Sequence, residues 1–189
     1  MMLTAGVHLY TAIDFEEFIA LPENRDRLVE LIHGEMVEKV PTEEHGIIAA
    51  AIARFIGNFI EPLEIGYVGV EIRHHKPSDQ YNVRMPDVSF RKGDTPIVKK
   101  GAVPQMPDLA VEIQSPDDKP RELREKADYY LRNGSRLVWL IYPADYAVEV
   151  CTLNADGDMQ VKTVGVEGIL EGGDVLPDFQ LPVEKIFPK

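Results

Sequence analysis

Cysteine is almost absent from this sequence. Cys151 is the single one, so no intrachain disulfide can form, which fits a reducing compartment. It lies in an apolar, strand-like run and reads as a small core residue rather than a nucleophile. No hydrophobic run stands out at membrane-spanning length, so no membrane partner is expected. The opening MMLTAGVHLYTAIDF has neither the positive segment nor the apolar stretch of a secretory leader. A soluble, cytoplasmic chain is the expectation. Positive charge is also scarce. Twenty Lys and Arg against 32 Asp and Glu leave a net charge of −12. That is a poor match to duplex binding through phosphate contacts. Carboxylates gathered around a metal ion, with a local basic patch, would reconcile the two. There is no P-loop, no dinucleotide-binding glycine fingerprint, no Cys/His zinc spacing and no G-x-S-x-G elbow. Those absences set aside four large enzyme and binding classes.

What remains is an ordinary globular composition. Of 189 residues, 44% are hydrophobic and 28% charged, enough for one domain over 1–189 with a substantial core. Thr11 and Asp14 have the spacing of a helix-capping box, and that helix should stop near Pro22. RLVELI and EMVEKV flank His33-Gly34, which predicts a hairpin with a two-residue turn. Ile32 then pairs with Glu35, and Glu30, Ile32, Glu35 and Val37 share a face. Ile48, Ile52, Phe55 and Phe59 recur at helical spacing through residues 44–60. Strands are expected at 66–73, 82–90 and 107–114, with a loop over 91–106. A second helix spans 121–132 and ends at Asn133-Gly134. Three further strands follow: RLVWLIY, YAVEVCTL and MQVKTV. The prolines between Gly172 and Pro188 argue against regular structure there. Helix, hairpin, helix, strands, helix, strands is an α+β or mixed α/β order, with one central mixed sheet flanked by helices.

The chemistry concentrates in two segments. In MPDVSF, Asp87 stands at a strand entrance, where Pro-Asp is also a common turn pair. In PDLAVEIQSP, Leu109, Val111 and Ile113 face one way, while Ala110 and Glu112 face the other. An acid in mid-strand needs exposure, a partner or a metal; an edge strand with one wet face is the plain alternative. Two acids on neighbouring strands suit Mg²⁺ or Mn²⁺. Such a cation polarises a phosphoryl oxygen and supplies hydroxide near neutral pH. A lysine two residues after Glu112 would share its face, but Gln114 stands there. The following helix offers Lys126, about 60° from Leu123 around the helix, at the border of its apolar stripe. Its stem could run along the core and deliver the amine inward, although most helix lysines are simply solvated. Glu30 and Glu35 could supply a further metal carboxylate or be exposed hairpin acids. His45 opens the long helix near its apolar side, as a cap, a core residue or a base. His74 and His75 are adjacent on an extended segment and point to opposite faces.

These segments, in order, resemble the Uma-type restriction endonuclease family, within the PD-(D/E)XK nuclease superfamily. The likeness runs over about residues 26–187. It rests on LVELIHGEMV, the helix entered through EEH, MPDVSF, PDLAVEIQSPDD, EKADYYLRNGSRLVWLIYP and DVLPDFQLPVEKIF. The resemblance implies a restriction endonuclease-like core and a divalent metal site with Asp87 and Glu112 as its acids. Lys126 would be the relocated lysine, and Glu30 and Glu35 would match an acidic hairpin, with Glu35 as a third metal ligand. It implies a Mg²⁺- or Mn²⁺-dependent endonuclease acting on DNA. Gln114 departs from the apolar residue usual at its place. A homodimer is expected because two related sites suit two strands.

Overall fold

Thr11 opens the first helix as its spacing predicts. The computed structural model describes residues 9–93 and 95–188; residues 1–8, which carry half of the leader reading, lie outside the described residues. The Thr11 hydroxyl accepts from the Asp14 N–H at 3.3 Å, and Asp14 accepts from the Thr11 N–H at 2.7 Å. Both halves of the box are therefore made, and α1 runs Ala12–Ala20. β1 (Val29–Ile32) and β2 (Glu35–Glu38) form the expected hairpin, with Ile32 opposite Glu35 and Glu30 opposite Val37. His33 and Gly34, at φ 51° and 82°, supply the two left-handed residues that this turn demands. Val29 and Leu31 bury against Ala12, Phe15 and Val83.

These elements belong to a first compact unit that ends at Val40 and also takes in Arg73–Met85 and Val98–Gln105. The two later segments join it through isolated bridges, Leu31 to Val83 and His74 to Arg84 and Val103. The strand expected over 82–90 is thus divided. Residues 83 and 84 make only bridges, Pro86 offers no N–H to a ladder, and regular pairing starts at Val88.

The second unit holds Pro41–Ile72, Pro86–Ile97 and the chain from Met106 onward. Its first element is α2 (Glu43–Ile60), capped by the Thr42 hydroxyl. Then come β3 (Gly66–Val70), β4 (Val88–Lys92), β5 (Leu109–Ile113), α3 (Pro120–Arg132), β6 (Leu137–Tyr142), β7 (Ala147–Leu153), β8 (Met159–Gly165), β9 (Ile169–Gly172) and β10 (Leu176–Pro182). Strands β3 to β8 form one six-stranded sheet in sequence order. Only β5 and β6 are parallel, and α3 is the crossover that parallel pairing requires. This is the mixed α/β core with a central mixed sheet that the element order predicts.

The two helices take opposite faces. Leu109, Val111 and Ile113 bury with Ile48, Ile52 and Ile56 of α2, while Ala110 buries with Leu123, Ala127 and Tyr130 of α3. Two expectations need correction. The tail is regular: β9 and β10 form an antiparallel ribbon with a register shift between Leu176 and Gln180. A two-stranded ribbon has outer edges, so Pro177 and Pro182 cost no central ladder bond. Leu176, Phe179 and Leu181 meanwhile bury in the α2-side core. The sequence also does hold one run of spanning length. Glu43–Leu63 is 21 residues long and contains an 18-residue window of mean hydropathy 1.4, long and apolar enough by length and composition to cross a membrane. Here its Ile48, Ile52, Ile56 and Ile60 stripe packs against the sheet.

Candidate active site

Asp87 sits just ahead of β4, where the ladder is irregular. Val88 pairs with Val111, yet the Asp87 N–H also donates to the Val111 carbonyl, at 3.0 Å. The side chain turns onto the neighbouring strand, and its Oδ2 accepts the Ile113 N–H at 2.6 Å. His45 Nε2 lies 3.0 Å from the same oxygen. Both residues are buried. His45 reaches this place because α2 starts at Glu43, and its own N–H is held by the Thr42 hydroxyl. The contact requires a proton on Nε2, so the imidazole is a donor to Asp87. Of the three roles open to His45 in sequence, the geometry shows a core histidine aimed at an acid.

Glu112 lies on an interior strand, and all five residues of β5 are buried, so the wet edge strand is excluded. Its carboxylate faces α3 and is held from there at both oxygens. Lys126 Nζ is 3.0 Å from Oε2, and the Tyr130 hydroxyl donates to Oε1 at 2.7 Å. Residues four apart on a helix share a face, which is how α3 brings both donors to one carboxylate. Lys126 does run its stem along the core, with its side chain only 22% exposed. A buried carboxylate without such partners would carry several kcal/mol of desolvation cost. The Tyr130 hydroxyl is a partner of Glu112 that no sequence pattern above singled out. Its spacing of four from Lys126 was the available signal.

The hairpin acids belong to the first unit. Glu30 is buried, and its Oε1 accepts the Met85 N–H at 2.8 Å. Glu35 is exposed beside the hairpin turn. Gln114 holds the loop after β5 by donating to the Asp118 carbonyl at 2.9 Å. His74 is buried with Nδ1 2.9 Å from the Gln105 carbonyl, and His75 Nε2 is 3.0 Å from the Asp79 carbonyl.

A second buried acid lies on the same sheet face. Glu149 of β7 is ion-paired to Arg124 of α3 and accepts the Tyr142 hydroxyl at 3.0 Å. The Arg124 hydrogen bond holds the Glu149 carboxyl below the ordinary carboxylate range. Burial pushes the nearby Cys151 thiol up to about 12, which leaves it protonated and inert.

Among the described residues, no three or more His, Cys, Asp or Glu side chains form a metal-holding group. A closed zinc centre is therefore not built here. Asp87 and Glu112 are hard-oxygen donors on neighbouring parts of the sheet: Asp87 accepts the Ile113 N–H and is met by His45 of α2, while the Glu112 carboxylate is met by Lys126 and Tyr130 of α3. Two carboxylates completed by water and substrate oxygens is a donor set that fits Mg²⁺ or Mn²⁺.

A solved structure described as a putative nuclease belonging to DUF820, from Anabaena variabilis ATCC 29413, matches with a TM-score of 0.76 at 21% identity, over 94% of this chain and 97% of that one. At that identity the likeness is one of fold. No curated protein matches the chain. The family described as Uma2, putative restriction endonuclease, matches residues 15–184. The ordered motifs, the mixed sheet and this match converge: the chain belongs to the Uma2 family of putative restriction endonucleases.

Proposed function

We propose that this chain is a metal-dependent nuclease that hydrolyses phosphodiester bonds of DNA, with Asp87 and Glu112 holding Mg²⁺ or Mn²⁺. The observation that carries the reading is the buried Glu112 carboxylate ion-paired to Lys126 at 3.0 Å, with buried Asp87 at the entrance of the adjoining strand. An acid pair with an adjacent ammonium is what phosphoryl chemistry needs: negative charge to hold a cation, and positive charge for the developing phosphorane. The cation, when bound, polarises the phosphoryl oxygen and lowers the pKa of its water. The chain's own residues do the rest. His45 and the Ile113 N–H fix the Asp87 carboxylate. Lys126 neutralises Glu112 at rest, and its flexible stem lets the ammonium orient the attacking water or meet a phosphate. Two copies would give one such site per strand of a duplex.

Gln114 favours a second reading, a binding or regulatory module that retains the nuclease fold. It stands where the strand lysine would be, and its amide is already used on Asp118. Supercoiled plasmid separates the two. Purified chain with Mg²⁺ or Mn²⁺ should nick it, and Asp87→Ala should abolish the nicking. Equal cleavage by that variant would remove the assignment. No cleavage by either protein, with no heat of divalent binding at millimolar metal, would favour the module.

A further inference from the structure

Lys126 and Tyr130 both hold Glu112, and they differ in kind. Lys126 carries a charge on four rotatable carbons, and its side chain retains 22% exposure. Tyr130 is fully buried, packed in the apolar cluster with Ala110, Leu123, Ala127 and Leu140. Its ring has only two torsions and is enclosed by close-packed apolar neighbours. A long, partly exposed ammonium leaves the carboxylate at lower cost than a buried phenol does.

From this asymmetry we infer that Tyr130 is a positioning residue for Glu112. Its hydroxyl anchors Oε1 at 2.7 Å, so the carboxylate keeps one orientation whether or not Lys126 stays on Oε2. The role rests on the nuclease reading and extends it, because it separates the fixed partner of Glu112 from the exchangeable one. The spacing supports the division. Positions 126 and 130 are one helical turn apart on α3, so the rigid donor and the mobile one approach the same acid from adjacent places. Tyr130 touches neither substrate nor cation in this scheme; it acts through the acid that does. Partners of this kind typically contribute 10- to 100-fold to metal affinity or activity, by removing orientations the ligand would otherwise sample.

Tyr130→Phe keeps the ring and removes only the hydroxyl. Calorimetric titration with Mn²⁺ should show affinity about 10- to 100-fold weaker than wild type. The turnover number for plasmid nicking should fall in the same range, with little change in the Michaelis constant for DNA. The cycle with Glu112→Gln controls for a merely structural effect. If Tyr130 acts through Glu112, adding Tyr130→Phe to Glu112→Gln should weaken Mn²⁺ binding little further, whereas independent effects would add. Wild-type Mn²⁺ affinity in Tyr130→Phe, or full additivity in the cycle, would overturn the positioning role and leave the nuclease reading standing. Absence of Mn²⁺ binding by the wild-type protein would overturn both together.

Discussion

His45 Nε2 lies 3.0 Å from Asp87 Oδ2, and both side chains are buried. The two residues are 42 positions apart, one in the first turn of α2 and the other at the mouth of β4. A helix start and a strand start are thus tied through the acid proposed above as a metal ligand. Because Oδ2 also takes the Ile113 N–H, this carboxylate is oriented by two donors.

His45→Ala should therefore uncouple Asp87 without unfolding the unit. The Thr42 cap acts on the backbone N–H of residue 45 and survives the substitution. Plasmid nicking should fall about 10- to 100-fold, the usual effect of losing a ligand-orienting partner. Circular dichroism should show unchanged helix content. Nicking at the wild-type rate would mean the imidazole fills space only.

Lys126→Met keeps the stem and removes the charge. Glu112 would then stand 2% exposed with the Tyr130 hydroxyl and no ammonium. Stability should fall by about 1.5–3 kcal/mol, the size of a hydrogen bond to a charged group, at neutral pH. Cleavage should fall more steeply than stability. Urea melts beside single-turnover rates measure both, and a fully active variant would contradict the role given to this lysine.

Glu149 sets an acid limit on stability. Its folded-state pKa is lowered, first by the Arg124 hydrogen bond and further by the Tyr142 hydroxyl, against burial. The sign follows from linkage. A depressed carboxyl contributes stability that is complete above its unfolded value, ordinarily 4.5, and lost as pH falls through the lower folded value. Glu149→Gln should flatten that part of the acid limb of the stability curve. Denaturant midpoints measured between pH 7 and the onset of acid unfolding test this. Parallel curves for variant and wild type would exclude Glu149 as a contributor.

Local signals carried well. The Thr11–Asp14 capping box, the His33-Gly34 turn and the alternation through Leu109–Ile113 depend on neighbours within a few residues, and each appears as its pattern predicts. Patterns that depend on distant partners carried less. The expected strand over 82–90 divides because ladder pairing with β5 begins only at Val88. The tail became β9 and β10 because Leu176, Phe179 and Leu181 found a core to enter, which outweighed the breaking tendency of Pro177 and Pro182. The site shows the same division. Lys126 could be proposed from its position on a helix border. The Tyr130 hydroxyl could not, because an aromatic on a helix does not announce where its polar end points.

The linear chain by itself determined most of the element types, the caps and turns, and the three groups Asp87, Glu112 and Lys126 as a candidate constellation. Hydrophobic periodicity and backbone-restricted residues act over a few positions and can be read without a fold. Only the tertiary structure decided that His45 orients Asp87, that Tyr130 and Lys126 divide the two oxygens of Glu112, and that Arg124 and Tyr142 hold Glu149. Those pairings span as few as seven and as many as 42 positions in the chain. A buried acid takes whichever donors the packing of helix on sheet brings within about 3 Å, and no sequence spacing specifies that distance.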